Sequence, residues 1–460
     1  MGYRMGRRIG RRGFLASLGA LSGAWVLGCR RGTAVSSVPL PPPTGPTPTP
    51  PPDIAPPPVA NAARAQRYQG QQLTYYGDSV GIGAELDQRL AERFAQDTGI
   101  AVRVIPRPQS ATEAYSTYLR FFQAQSAAVD VLLIDIIWPG AFAPHLLDLR
   151  PFFTDEVEQF YPALIENNTV AGRLVALPWF ADVGMLYYRT DLLERYGFAA
   201  PPATWDELEA QARRIVAGER VANPVFTGYV FQGNAYEGLT CNALEWLASV
   251  GGGTILEGDR ATLDNPAAVA ILNRARGWVG TIAPRGVTTY QEDDARNVFQ
   301  AGNAVFMRNW PYAYALAAGG ASRVAGRFEV APLPAAPGHP RVGTAGGQQL
   351  AVCQYSRAPE AAVELVRYLT SAPVQVYRAQ RGSFLPTRPA VAEDARVLAA
   401  EPFLGPLQAV ERVTRPARDA GARYNQVSTA FFQGVNQILN GADAAGLLPQ
   451  VARRVERALA

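Results

Sequence analysis

Four consecutive apolar residues, Val131-Leu132-Leu133-Ile134, constrain this chain more than any other stretch. They read as a strand buried on both faces, which belongs in a sheet covered by helices. The run stops on a carboxylate, Asp135, followed by Trp138 and the breaker pair Pro139-Gly140. In open α/β sheets, ligands sit just beyond the carboxyl ends of the strands. A carboxylate and a flat ring there suit a ligand that is polar with an apolar face. The plainer alternative is that Asp135 caps a turn and Trp138 belongs to the core.

The flanking pattern supplies the rest of the sheet. Residues 73–76 read as a strand and 77–79 as a turn. Ile82, Leu86, Leu90 and Phe94 share one helical stripe, with Gly99 past its end. A strand at 101–105 and a helix near 112–125 lead back to Asp135. This β-α-β-α-β order predicts a parallel sheet with right-handed crossovers. Two extended runs, 174–179 and 184–189, flank Phe180-Ala181-Asp182, where the chain passes to a second lobe. Thr204 and Glu207 form a capping box at the start of a helix in that second α/β unit. A strand at 304–307 runs into Asn309-Trp310-Pro311-Tyr312. Gly343 to Gly347 and 382–387 read as irregular breaks, and the pattern after 390 is helical. A chain of 460 residues is too long for one compact core, which also argues for two lobes.

Composition excludes several chemistries. The chain has no lysine, so Schiff-base and lysine-base mechanisms are absent. Its two histidines, His145 and His339, supply triads and metal sites poorly. There is no P-loop, no GxGxxG and no metal-spaced Cys/His set, so neither cofactor nor metal is expected. The pI of about 9.0 misleads. Five of the 43 arginines fall in residues 1–28, which hold no acid; the remainder has 38 against 39 acids, a net charge of −1. Nucleic-acid binding by bulk charge is therefore not expected. Cys241 and Cys353 sit in apolar contexts and read as buried thiols, with a single bridge between them as the alternative.

Residues 1–28 read as an export signal. Arg11-Arg12-Gly13-Phe14-Leu15 is a twin-arginine pattern, and an apolar stretch too short for a spanning helix follows it. The stretch ends in Val26-Leu27-Gly28-Cys29, which resembles a bacterial lipoprotein cleavage box with Cys29 as the lipidated residue. One lipid would attach the chain to a membrane surface without a spanning segment. Residues 29–68 read as a linker whose proline-rich part, 39–58, is either a semi-rigid stalk or a disordered spacer with no particular length requirement.

The stretches DVLLIDIIWPGAFAPHLLDL at 130–149, ALPWFADVGMLYYRTDLLERYG at 176–197, TWDEL at 204–208, FQAGNAVFMRNWPYAYAL at 299–316 and FLPTRPAV at 384–391 resemble the extracellular solute-binding proteins of sugar ABC importers. Within that family the likeness is to the trehalose/maltose-binding branch. The resemblance implies a two-lobed α/β fold, the type II periplasmic-binding-protein fold, with three hinge crossings. Carried onto this chain, lobe I is 69–180 plus 346–384, and lobe II is 181–345 plus 385–460. It implies a sugar ligand, permease partners, a monomer, an extracytoplasmic location and no catalysis. Matched one by one, its ligand positions fall on Glu85, Asp135, Phe180, Asp182, Trp310, Gly346, Gly347 and Arg415. Carboxylates and arginine pair with sugar hydroxyls, and aromatic rings stack on sugar C–H faces.

Two departures qualify the branch. Gln348 stands where the disaccharide branch often has a second tryptophan, and is itself a candidate ligand residue. An arginine often present before the central strand has no counterpart near Thr112 to Tyr118. Two other functions compete with capture for import. Asp135 and Asp182 could serve as the carboxylate pair of a glycosidase, or the cleft could belong to a surface glycan receptor not coupled to import.

Overall fold

A computed structural model describes residues 53–407 and 410–459. The twin-arginine segment, Cys29 and most of the proline-rich spacer lie outside the described residues. Strands β1 (Gln72–Gly77), β2 (Ala101–Pro106) and β3 (Val131–Asp135) are parallel in the order β3-β1-β2. Helices α1 (Gly83–Thr98) and α2 (Ala111–Gln123) make the crossovers. All of β3 is buried, as its unbroken apolar run demands.

β4 (Leu177–Val183) joins this first sheet, and after Gly184 the chain continues as β5 (Met185–Arg189) in a second one. The second sheet adds β6 (Thr227–Val230), β7 (Ala304–Asn309) and β8 (Phe328–Ala331), in the order β8-β5-β7-β6. Around it lie α3 (Trp205–Glu219), with its Thr204/Glu207 capping box, α4 (Glu237–Ala248), α5 (Pro266–Trp278) and α6 (Glu292–Gln300). β9 (Val342–Val352) returns to the first sheet and pairs antiparallel with both β3 and β4. α7 (Pro359–Leu369) and α8 (Ala372–Gly382) follow it. β10 (Glu411–Val413) pairs with the start of β9, and α9 (Tyr424–Leu439) and α10 (Ala444–Leu459) complete the core around α4 and α5.

The crossings are more regular than their sequence. Residues 178–182 and 343–347 are strand, not irregular breaks, and Ala181 N donates to Leu385 O at 3.0 Å, so the three crossings lie side by side. The glycines there answer to crowding. A Cβ on Gly347, where φ is 127°, would sit 2.4 Å from Phe180 O; one on Gly184 would sit 1.9 Å from Glu245 Oε1.

The folded body also begins before residue 69. Ile54 and Val59 pack on the first lobe's core, Ala65 is buried, and Tyr368 Oη donates to Pro57 O at 2.8 Å. Near the other end, Val391 and Val397 pack on Val376 and Ala379 of α8, so this part of the segment after 385 sits against the first lobe. Cys241 and Cys353 are both buried free thiols.

Candidate functional site

The carboxyl ends of strands from both sheets converge on one cleft of about 700 Å³, open solvent at its mouth included. Asp135 ends β3, Phe180 and Asp182 lie on β4, Trp310 follows β7, and Gly346, Gly347 and Gln348 lie on β9; all line the cleft with Arg415, just beyond β10. The lobes touch beside it: Glu237 N donates to Thr112 Oγ1 at 3.3 Å, and Gln109 Nε2 to Asp293 Oδ2 at 3.5 Å.

Arg415 ties the lobes' charges together. Its Nη2 meets Asp135 Oδ1 at 2.8 Å and its Nη1 meets Glu237 Oε1 at 3.0 Å. Glu237 also accepts from Tyr424 Oη at 2.6 Å and Ser428 Oγ at 2.7 Å. Burial raises the Glu237 carboxyl, with Arg415 working against that shift. Burial likewise opposes the charge on Arg415, but Asp135 and Glu237 outweigh it and hold the guanidinium charged. Asp135 caps the turn after β3, as one reading of its sequence has it: besides its ion pair, Oδ1 accepts from Ile137 N at 3.3 Å. Trp138 belongs to the core, packed against Tyr115, Tyr118 and Phe142.

A second ion pair lies beneath the cleft. Arg308 on β7 meets Glu245 on α4 through Nη2 at 2.5 Å and Nε at 2.9 Å, both side chains fully buried. Glu245 Oε1 accepts from Thr344 N of β9 at 3.0 Å. The guanidinium lies 3.9 Å from the Trp310 ring centroid, so the cleft's tryptophan rests on the same pair that anchors the crossing strands. Trp310 Nε1 donates to Glu292 Oε1 at 3.5 Å, and burial raises the Glu292 carboxyl.

Asp182 is different. It accepts no hydrogen bond among the described residues. Burial, then the neighbouring negative charges of Asp78 and Asp135, push its carboxyl well above the usual range. The Phe180 ring meets Phe384 edge-on at 4.8 Å, and the Arg378 guanidinium carbon lies 5.0 and 4.0 Å from these two ring centroids. Gln348 Oε1 and the Nε and Nη1 of Arg107 are buried without a partner.

Glu85 lies apart from the other predicted positions. It is exposed on α1, pairs with Arg89 at 3.1 Å one turn on, and does not line the cleft. Its place on the solvent face of the helix, opposite the Leu86/Leu90/Phe94 stripe, explains why. Sequence reasoning missed Asp78, Arg107, Glu237, Glu292, Tyr312 and Phe384. Asp78 follows β1 and Arg107 follows β2, so the strand-end rule that selected Asp135 would have found both. Glu237 carries no such signal; it reads as an ordinary acid in a helix's first turn.

Comparison with known proteins adds the following. Residues 76–376 match the family described as bacterial extracellular solute-binding protein. A relative from Deinococcus radiodurans, described as a "Probable ABC transporter-binding protein", is 48% identical over 392 residues, spanning 84% of this chain and 93% of the relative. The maltose-bound MalE3 of T. maritima superposes with a TM-score of 0.78 at 38% identity, over 84% of this chain and 100% of that one. A solute-binding protein from Thermotoga lettingae bound to α-D-tagatose shares the fold, with a TM-score of 0.75 at 24% identity over 85% and 100% of the two chains.

Proposed function

The chain belongs to the bacterial extracellular solute-binding protein family, a family of binding proteins rather than enzymes, and from that premise we propose that it captures a neutral disaccharide, maltose or trehalose, for a sugar ABC importer. The sugar sits between the lobes, in contact with Asp135, Phe180, Asp182, Trp310, Gly346, Gly347, Gln348 and Arg415, and the loaded protein docks on the permease subunits. The chain is exported by its twin-arginine signal, lipidated at Cys29, and works as a monomer outside the cytoplasmic membrane. Its lobes divide near 180, 345 and 385.

One observation carries the reading. The cleft joins aromatic surface, Trp310 with Phe180 and Phe384, to buried polar atoms that lack partners in the protein, Gln348 Oε1 and the Nε and Nη1 of Arg107, with the half-buried Asp182 beside them. Buried polar groups are costly unless bonded. A polyhydroxylated ligand with C–H faces satisfies both sets at once. Maltose in the MalE3 relative supports a disaccharide.

The test is a thermal-shift panel of trehalose, maltose, sucrose, glucose and glycerol phosphates. A ligand at about 100 times its Kd stabilises the fold by about 2.7 kcal/mol. A shift with maltose or trehalose is expected; a panel in which only the glycerol phosphates shift the protein contradicts the disaccharide reading.

A further inference from the structure

Six arginines are buried among the described residues: Arg107, Arg189, Arg308, Arg378, Arg388 and Arg415. Four pair with carboxylates: Arg189 with Asp191, Arg308 with Glu245, Arg378 with Asp78 and Asp87, and Arg415 with Asp135 and Glu237. Arg388 donates to Thr370 O and Gln159 Oε1. Arg107 differs from all five. Its side chain is 94% buried, its Nε and Nη1 have no hydrogen-bond partner, and no carboxylate forms an ion pair with it among the described residues. Its neighbour is the Trp138 ring, 5.8 Å from the guanidinium carbon. It lines the cleft.

Arginine does not deprotonate inside proteins, so it cannot shed its charge as Asp182 can. Guanidinium N–H groups held out of water without partners, as on Nε and Nη1, are costly. The backbone fixes it there: Arg107 N donates to Gly77 O at 3.1 Å, continuing the β1–β2 pairing. The side chain therefore enters the cleft from the end of β2, not from α2, where the family pattern leads one to look for an arginine.

Resting on the sugar-capture reading above, we propose that Arg107 is a specificity-determining ligand residue, donating charge-assisted hydrogen bonds to adjacent hydroxyls of a neutral sugar. Hydroxyls fit better than an acidic substituent. Asp78 and Asp135 line the same cleft, and Arg415 is already taken up by Asp135 and Glu237, so carboxylate oxygens face the ligand beside Arg107 and an anion would meet like charge.

The experiment measures Kd by calorimetry and the ligand-free melting temperature on the full chain, for wild type, Arg107→Ala and Arg107→Gln, with maltose, trehalose and glucose 1-phosphate. Loss of a charge-assisted bond weakens disaccharide binding by about 10- to 100-fold in Arg107→Ala, with Arg107→Gln between. The ligand-free melting temperature holds or rises, because an unpaired buried charge has gone. A Kd unchanged within about twofold overturns the inference while leaving the sugar reading standing. So does a ligand-free melting temperature that falls by several degrees in both variants, which makes Arg107 structural. Tighter wild-type binding of glucose 1-phosphate than of either disaccharide overturns the preference for hydroxyls. Wild type that binds no sugar defeats the capture reading itself.

Discussion

The hinge-side floor of the cleft and its ligand-facing wall treat buried polar groups in opposite ways. On the floor, Arg308, Glu245 and Thr344 N satisfy one another, and Gly184 leaves no space between them and the crossing strand. On the wall, Asp182, Gln348 Oε1 and Arg107 find no hydrogen-bond partner among the described residues. Gln348 Oε1 and the Nε and Nη1 of Arg107 are as buried as the floor groups, so burial alone does not separate them. The number of partners inside the protein does: the floor groups are paired with one another, and on the proposed reading the unpaired wall groups find theirs in the ligand.

Substitutions can break that comparison. The largest effect is expected on the floor. Glu245→Ala leaves Arg308 buried and uncompensated, at a cost of about 3–5 kcal/mol in denaturant unfolding. A loss below about 1 kcal/mol would put the floor and the wall in one class.

Asp182→Asn is expected to act oppositely on stability and affinity. The folded state holds the Asp182 proton more tightly than the unfolded chain does. That stabilisation is complete below the unfolded pKa and is lost as pH rises through the raised, folded one. The variant should therefore melt above wild type at pH 8 without ligand, and the gap should close toward acid, below the ordinary carboxylate range. Its sugar affinity should fall by about 1 kcal/mol, the worth of a hydrogen bond between uncharged groups. Melts across pH and a titration check both signs.

Gln348→Ala removes an unpaired amide, so about 1 kcal/mol of affinity and little stability should go. The smallest effect belongs to Glu85→Ala. An exposed pair one helical turn apart is worth roughly 0.3–0.5 kcal/mol, and ligand affinity should not move.

Much of this was legible in the chain. The unbroken run 131–134 yielded a two-face-buried strand, and the strand-end rule placed Asp135 at the cleft. The stripe through Leu86, Leu90 and Phe94 yielded the buried face of α1. Glu85 falls outside the cleft lining because its family match says nothing about which face of that helix it occupies. Glycine spacing was read as breaks at 343–347, where the cause is close backbone approach in a strand. Glu237 was invisible because its partners, Arg415, Tyr424 and Ser428, lie about 180–190 residues away, and no local pattern encodes them.

The most direct measurement is a calorimetric titration of maltose and trehalose into the purified full chain. Unpaired wall groups that gain hydroxyl partners predict one saturable site per chain with favourable enthalpy. No saturable heat with either sugar, nor with any neutral sugar of the panel, would contradict the assignment of the wall to ligand capture.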